Sequence, residues 1–147
     1  MVQVKKVVIP VDFTSTMDKV VDYAVSIADQ LNSKILFLHV INDFQGYDMM
    51  LVHPSFELMK KDLEDAGNER MGNLVKEYEN RSQGVSGKVV YGDAGEEIVK
   101  FAADEDADMI IIGTHGAKGL ERILMGSTAE YVVKKAPCPI LTFNPFK

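Results

Sequence analysis

A single cysteine, Cys138, rules out an intrachain disulfide in this 147-residue chain. Flanked by Pro137 and Pro139 and followed by apolar residues, it reads as a small packing residue. Apolar runs approaching the roughly 20 residues of a membrane helix are absent. The first residues, Met1-Val2-Gln3-Val4-Lys5-Lys6, lack the order of a signal peptide, so a cytoplasmic location is expected. Basic residues are few and scattered, and the formal net charge is −6. No basic face marks a nucleic-acid partner, and the acidic balance fits solubility. Three separated histidines with one cysteine form no metal-ligand cluster. The sequence has no Gly-x-x-x-x-Gly-Lys-Ser/Thr loop and no Gly-x-Ser-x-Gly elbow, which argues against P-loop NTPases and α/β-hydrolases. It also lacks the clustered acids, acceptor aspartate and late lysine of a phospho-receiver domain.

Five short apolar runs are present, at 7–11, 35–41, 88–91, 109–112 and 140–143. Several are continuous and rich in Val and Ile, as expected of strands buried on both faces of a parallel sheet. Between them lie helix-period segments. Val20, Val21, Ala24, Ile27, Ala28 and Leu31 mark one helical face, with Thr14 or Ser15 as its cap and Asn32-Ser33 as its end. Met59, Leu63, Ala66, Leu74, Val75 and Tyr78 mark a longer helix. Asp93 with Glu96, and Ser127 with Glu130, each show the spacing of a capping box. Strict alternation of strand and helix predicts one α/β domain, doubly wound and Rossmann-like. Its five-stranded parallel sheet has order 3-2-1-4-5 and helices on both faces. The segment 42–54, with Gly46, Tyr47, Met49, Met50 and Leu51, reads as a long loop, either a functional lid or a cover over one sheet end.

In such a sheet, ligands bind at the carboxyl ends of the strands where the strand order reverses. That places Ile9-Pro10-Val11-Asp12-Phe13-Thr14 opposite Ile112-Gly113-Thr114-His115-Gly116. Glycines let backbone approach a ligand, and successive N–H groups in such a turn can form an anion nest. After nine intervening residues, Gly126-Ser127-Thr128 opens a helix, whose free N–H groups and positive dipole end suit phosphate. His115, Lys118 and Arg122 are candidate phosphate donors. The alternatives are that Lys118 and Arg122 are solvated charges and that His115 holds the loop backbone. His39 reads as a satisfied histidine at a strand end, and His53 as a loop residue.

These motifs resemble the universal stress protein family, in its ATP-binding subgroup. The family spacing of Gly, two residues, Gly, nine residues, then Gly with Ser or Thr is met by Gly113, Gly116, Gly126 and Ser127. Val8 to Thr14, Leu38-His39-Val40-Ile41 and Pro137-Cys138-Pro139-Ile140-Leu141 are similar to family segments as well. The resemblance implies a nucleotide site built from Pro10, Asp12, Val40, Gly113, His115, Gly116, Gly126, Ser127 and Thr128. Asp12 would accept from the ribose hydroxyls, a chemistry suited to a carboxylate, or it would instead cap the first helix. Val40 would contact adenine, and the glycines with Ser127 and Thr128 would hold ribose and phosphates.

The expected ligand is ATP, with Mg²⁺ held largely by phosphate oxygens and water. No catalytic base is evident beside the cradle, so a nucleotide-dependent stress-response or regulatory module with little or no hydrolysis is expected. An ATP-dependent enzyme that activates a small substrate, and a nucleotide-free dimeric module, stand as alternatives. Ile140, Leu141, Thr142 and Phe143 would form an apolar sheet edge. The resemblance implies a homodimer paired through that edge; otherwise the residues 144–147 cover it.

Overall fold

The computed structural model describes residues 1–42, 54–115 and 125–146. The elements run β1 (Lys6–Pro10), α1 (Met17–Leu31), β2 (Lys34–Asn42), α2 (Pro54–Tyr78), β3 (Val85–Gly92), α3 (Ala94–Asp104), β4 (Met109–Gly113), α4 (Ser127–Lys135) and β5 (Ile140–Phe143). The strands form one sheet in the order β3-β2-β1-β4-β5, and every pairing is parallel. Both the topology and the parallel class match the expectation.

Central strands bury both faces because side chains alternate across them. Val7, Ile9, Ile35, Phe37 and Ile111 pack beneath α1 and Met71 of α2. Val8, Leu36, Leu38, Ile110 and Ile112 pack on the opposite face, against Ile98 and Ala102 of α3 and Ala129 and Val132 of α4. That two-sided burial explains the unbroken apolar runs.

The edge strand β3 behaves otherwise. Ser86, Gly87 and Lys88 are exposed, and the strand starts at Val85, three residues before the apolar run at Lys88. A Cβ on Gly87 would lie 2.4 Å from Sδ of Met71, so the glycine lets α2 sit close on the sheet. Helix α2 also starts earlier than its apolar period suggests. Met59 and Leu63, expected on its buried face, are about 40% exposed, while Phe56 and Met71 are buried with the core. Leu74, Val75 and Tyr78 do pack inward.

Helix boundaries give two further corrections. Neither Thr14 nor Ser15 caps α1; its N-cap is Thr16, with no side-chain cap bond. The predicted stop holds, since Asn32 adopts a left-handed conformation and its N–H returns to Ala28 and Asp29 carbonyls. Asp93 caps α3 as expected, accepting from the Glu96 N–H at 3.1 Å. The second capping box does not form. Ser127 is the first residue of α4 rather than its cap, the N-cap is Gly126, and Glu130 pairs with Lys134 instead.

Candidate functional site at the ends of β1 and β4

Strands β1 and β4 part early. Their ladder pairs Val7 with Met109 and Val8 with Ile110, whereas β1 stays paired with β2 as far as Pro10 and Leu38. Pro10 supplies the reason. The Val11 N–H donates to the Leu38 carbonyl at 2.8 Å, so position 10 turns its nitrogen toward β4. Proline has no N–H to offer there, and a crevice opens beyond it. Pro10, given a place in the site by the resemblance, is buried and shapes the crevice through its backbone.

Beyond β1 the chain makes a tight turn held by Asp12. One carboxylate oxygen, Oδ1, accepts from the Thr14 N–H at 3.0 Å and from the Thr14 hydroxyl at 2.7 Å. This is an Asx turn. The Thr14 hydroxyl proton is thereby used, so Thr16 donates across the 3.1 Å contact between the two hydroxyls. Asp12 does not cap α1, because the N-cap lies four residues on, at Thr16. The turn puts Phe13 at φ +59, unusual for an aromatic residue. Its ring lies 4.7 Å from that of His39, whose Nδ1 meets the Val11 carbonyl at 2.8 Å. His39 is thus the satisfied strand-end histidine expected of it. Val40, one residue on, is half-buried and packs against the α3 and α4 side of the sheet.

The end of β4 is tied to two other elements through Thr114. Its N–H donates to the Phe143 carbonyl of β5 at 2.9 Å, and its carbonyl accepts from the Gly126 N–H at 2.7 Å. The second bond fastens the start of α4 to the end of β4. A Cβ on Gly126 would sit 3.2 Å from the Thr114 oxygen, a close approach that favours glycine. Gly113 has a different reason to be glycine, because a Cβ there would sit 3.0 Å from Cγ2 of Val20 on α1.

Helix α4 starts uncapped. Its first intrahelical bond runs from Glu130 N–H to the Gly126 carbonyl, and among the described residues no side chain caps it. The N–H groups of Ser127, Thr128 and Ala129 precede that bond and have no acceptor within the helix. They stand at the positive end of the helix dipole, beside the β4 terminus. Ser127 is exposed and Thr128 half-buried. The arrangement can receive an anion at α4 and hydroxyl donors at Asp12.

His115 is buried rather than extended toward solvent. Its Nδ1 lies 2.7 Å from the Thr114 hydroxyl, and its ring meets Phe146 edge-on at 5.2 Å. Among the described residues its Nε2 has no partner. His115 is thus bonded to the neighbouring Thr114 side chain, and its Nε2 stays available as a donor or acceptor among the described residues. Gly116, Lys118 and Arg122 lie outside the described residues, as do His53 and most of the 42–54 segment.

A cavity of about 590 Å³ lies elsewhere, between α1 and α2. It borders Phe13 and Thr14 of the turn, but none of the predicted site residues lines it. Among the described residues no three His, Cys, Asp or Glu side chains are placed to hold a metal ion. Cys138 packs with the α3 and α4 cluster, and burial, with a smaller effect from Asp108, raises its thiol pKa. No described helix is long and apolar enough to cross a membrane.

Sequence reasoning missed Thr114, Phe143 and Phe146. The bonds that give Thr114 its place come from β5 and α4, and no local spacing announces them. The Asp12-Phe13-Thr14 turn did leave a signal, an Asp two residues ahead of a Thr after a strand.

Comparison with known proteins agrees with this architecture. The model of the universal stress protein family matches residues 3–144. Universal stress protein MJ0531 of Methanocaldococcus jannaschii is 34% identical over 137 residues, covering 93% of this chain and 80% of its own. Universal stress protein MJ0577 of the same organism is 33% identical, covering 95% and 94%. The solved structure of MJ0577 superposes with a TM-score of 0.82 at 32% identity, covering 97% of each chain. The universal stress protein of Archaeoglobus fulgidus in complex with dAMP shares the fold, with a TM-score of 0.63 at 18% identity over 94% of this chain and 96% of that one. The chain described here belongs to the universal stress protein family.

Proposed function

We propose that this protein binds an adenine nucleotide in the crevice between β1 and β4, and that the physiological ligand is ATP. The observation that carries the proposal is the uncapped start of α4, fastened to the end of β4 by the Gly126–Thr114 bond. Phosphates would occupy the Ser127, Thr128 and Ala129 N–H groups, with the Ser127 and Thr128 hydroxyls beside them. Asp12 would accept from ribose hydroxyls through Oδ2, its Oδ1 being engaged by Thr14. Val40 would meet the adenine. Mg²⁺ would be held largely by phosphate oxygens and water, in keeping with a described site that offers one carboxylate. Relatives of this fold in complex with dAMP and with cAMP, at 18% and 17% identity, support an adenine nucleotide as the ligand class.

The protein would then act as a nucleotide-dependent regulatory module of the stress response, with little or no hydrolysis, and as a homodimer paired through Ile140, Leu141, Thr142 and Phe143 of β5. Fast phosphoryl transfer needs a positioned nucleophile together with charge stabilisation, and binding alone needs neither. Equilibrium dialysis of the purified protein against ATP, ADP and AMP tests the reading. Saturable binding, weakened in Asp12→Asn, is expected; no binding at millimolar nucleotide contradicts it. The α1–α2 cavity beside the Asp12 turn favours one second reading, an enzyme that uses ATP to activate a substrate bound there. Release of pyrophosphate from ATP across a metabolite panel would support that reading, and its absence leaves the first.

A further inference from the structure

We propose that Phe146 is a positioning residue for the phosphate end of the site, acting through His115 and Thr114. The proposal rests on the nucleotide reading above.

The C-terminal segment turns back on itself, with the Phe146 N–H donating to Oδ1 of Asn144 at 2.9 Å and Pro145 buried at the bend. The turn delivers the Phe146 ring edge-on to His115, 5.2 Å between centroids at 71°. Apart from the Thr114 hydroxyl on Nδ1, the buried imidazole has no polar partner among the described residues, since Nε2 is unpaired. Among the described residues, the ring contact and the Thr114 bond are the restraints on the His115 rotamer. His115 in turn holds Thr114, and Thr114 carries both backbone bonds that matter: its N–H to Phe143 of β5 and its carbonyl to Gly126 at the start of α4. On the other side of Phe143, Tyr23 of α1 stacks at 4.6 Å and 18°. The tail, the edge strand and the phosphate-facing helix start are thus joined through the adjacent pair Thr114 and His115. Losing the Phe146 ring frees His115 and loosens the Gly126–Thr114 bond, while Asp12, on the far side of the crevice, keeps its own turn.

The test compares ATP with adenosine, which lacks phosphates, by titration calorimetry on the full chain, with hydrogen exchange of the Gly126 amide measured in parallel without ligand. Phe146→Ala is expected to weaken ATP binding severalfold, up to about tenfold for an aromatic contact. Adenosine affinity should stay the same, Gly126 exchange should quicken, and Phe146→Tyr, which keeps the ring, should restore both ATP affinity and Gly126 exchange. Equal losses for ATP and adenosine, or an unchanged ATP affinity, would overturn the proposal. If wild-type protein binds neither ligand, the nucleotide reading falls, and the exchange data decide the positioning role alone. Faster Gly126 exchange in Phe146→Ala with rescue by Phe146→Tyr supports it, and unchanged exchange overturns it.

Discussion

Asp93 closes the start of α3, whereas Gly126 leaves the start of α4 open, although both regions show an Asp or Ser followed three residues later by Glu. In α3 the spacing works as sequence rules describe, with the aspartate ahead of the helix and its side chain on the Glu96 N–H. In α4 the serine is drawn one position inward, because the Gly126 N–H is fixed to the Thr114 carbonyl and the helix starts from that anchor. A cap of this kind occupies a donor of its own helix and sets a carboxylate where an anion would approach. An anchored, uncapped start holds three backbone donors in place with no internal acceptor. The difference separates a helix that only supports the fold from one that can also bind an anion.

That contrast can be broken from either side. The largest effect is expected from filling the open start. Gly126→Asp would bring a carboxylate to donors that have no acceptor within the helix, and would press a Cβ on the Thr114 oxygen. Loss of two charge-assisted bonds to phosphate corresponds to about 3 kcal/mol, or ~100-fold weaker ATP binding by calorimetry. Adenosine binding, if measured alongside, should fall much less. Emptying the closed start should do the opposite. Asp93→Ala is expected to lower unfolding stability by about 1 kcal/mol in urea titrations and leave nucleotide affinity unchanged.

Away from both helix starts, Tyr78 gives a pH dependence that serves as an internal control. Burial, then its hydrogen bond to Asp22, raises its phenol pKa above the ordinary 10.0. The fold favours the neutral phenol, so its contribution is intact below pH 10 and declines as pH rises above that, where the unfolded chain ionises first. Tyr78→Phe should therefore flatten the alkaline loss of stability, followed by urea midpoints between neutral pH and pH 11. The smallest effect is expected at Glu130. If it belonged to a capping box, its loss would cost a cap; as an exposed partner of Lys134, Glu130→Ala should cost less than about 0.5 kcal/mol in urea titrations.

Much of this architecture was legible in the sequence. The runs at 7–11, 35–41 and 109–112 are buried on both sides, and burial of that kind leaves a local mark that composition alone reveals. β3 was read short because Ser86 and Gly87 owe their place to pairing with Leu36 and Phe37 and to the close approach of Met71, none of which is local. The buried face of α2 departs from its apolar period for a related reason. Met59 and Leu63 are apolar in sequence yet half in solvent, since which face of that helix is buried depends on where the sheet ends beneath it.

The candidate site shows the same division. Asp12, Pro10 and Gly126 could be singled out from strand ends and glycine spacing; the structure places Pro10 and Asp12 at the end of β1, and Gly126 is bonded to the end of β4. The reasons for the glycines could not be read so directly: Gly113 yields to Val20 of α1, and Gly126 yields to a carbonyl twelve residues before it. Thr114, which joins β5, β4 and α4, has no signature at all, since its partners are set by the completed sheet.

The most direct measurement is an amide NMR titration of the wild-type protein with ATP. The Ser127, Thr128 and Ala129 amides should shift together and saturably, while the Glu96 amide, held by Asp93, stays where it is. Saturable ATP binding that leaves the α4 amides unmoved, or no binding at millimolar ATP, would contradict this expectation.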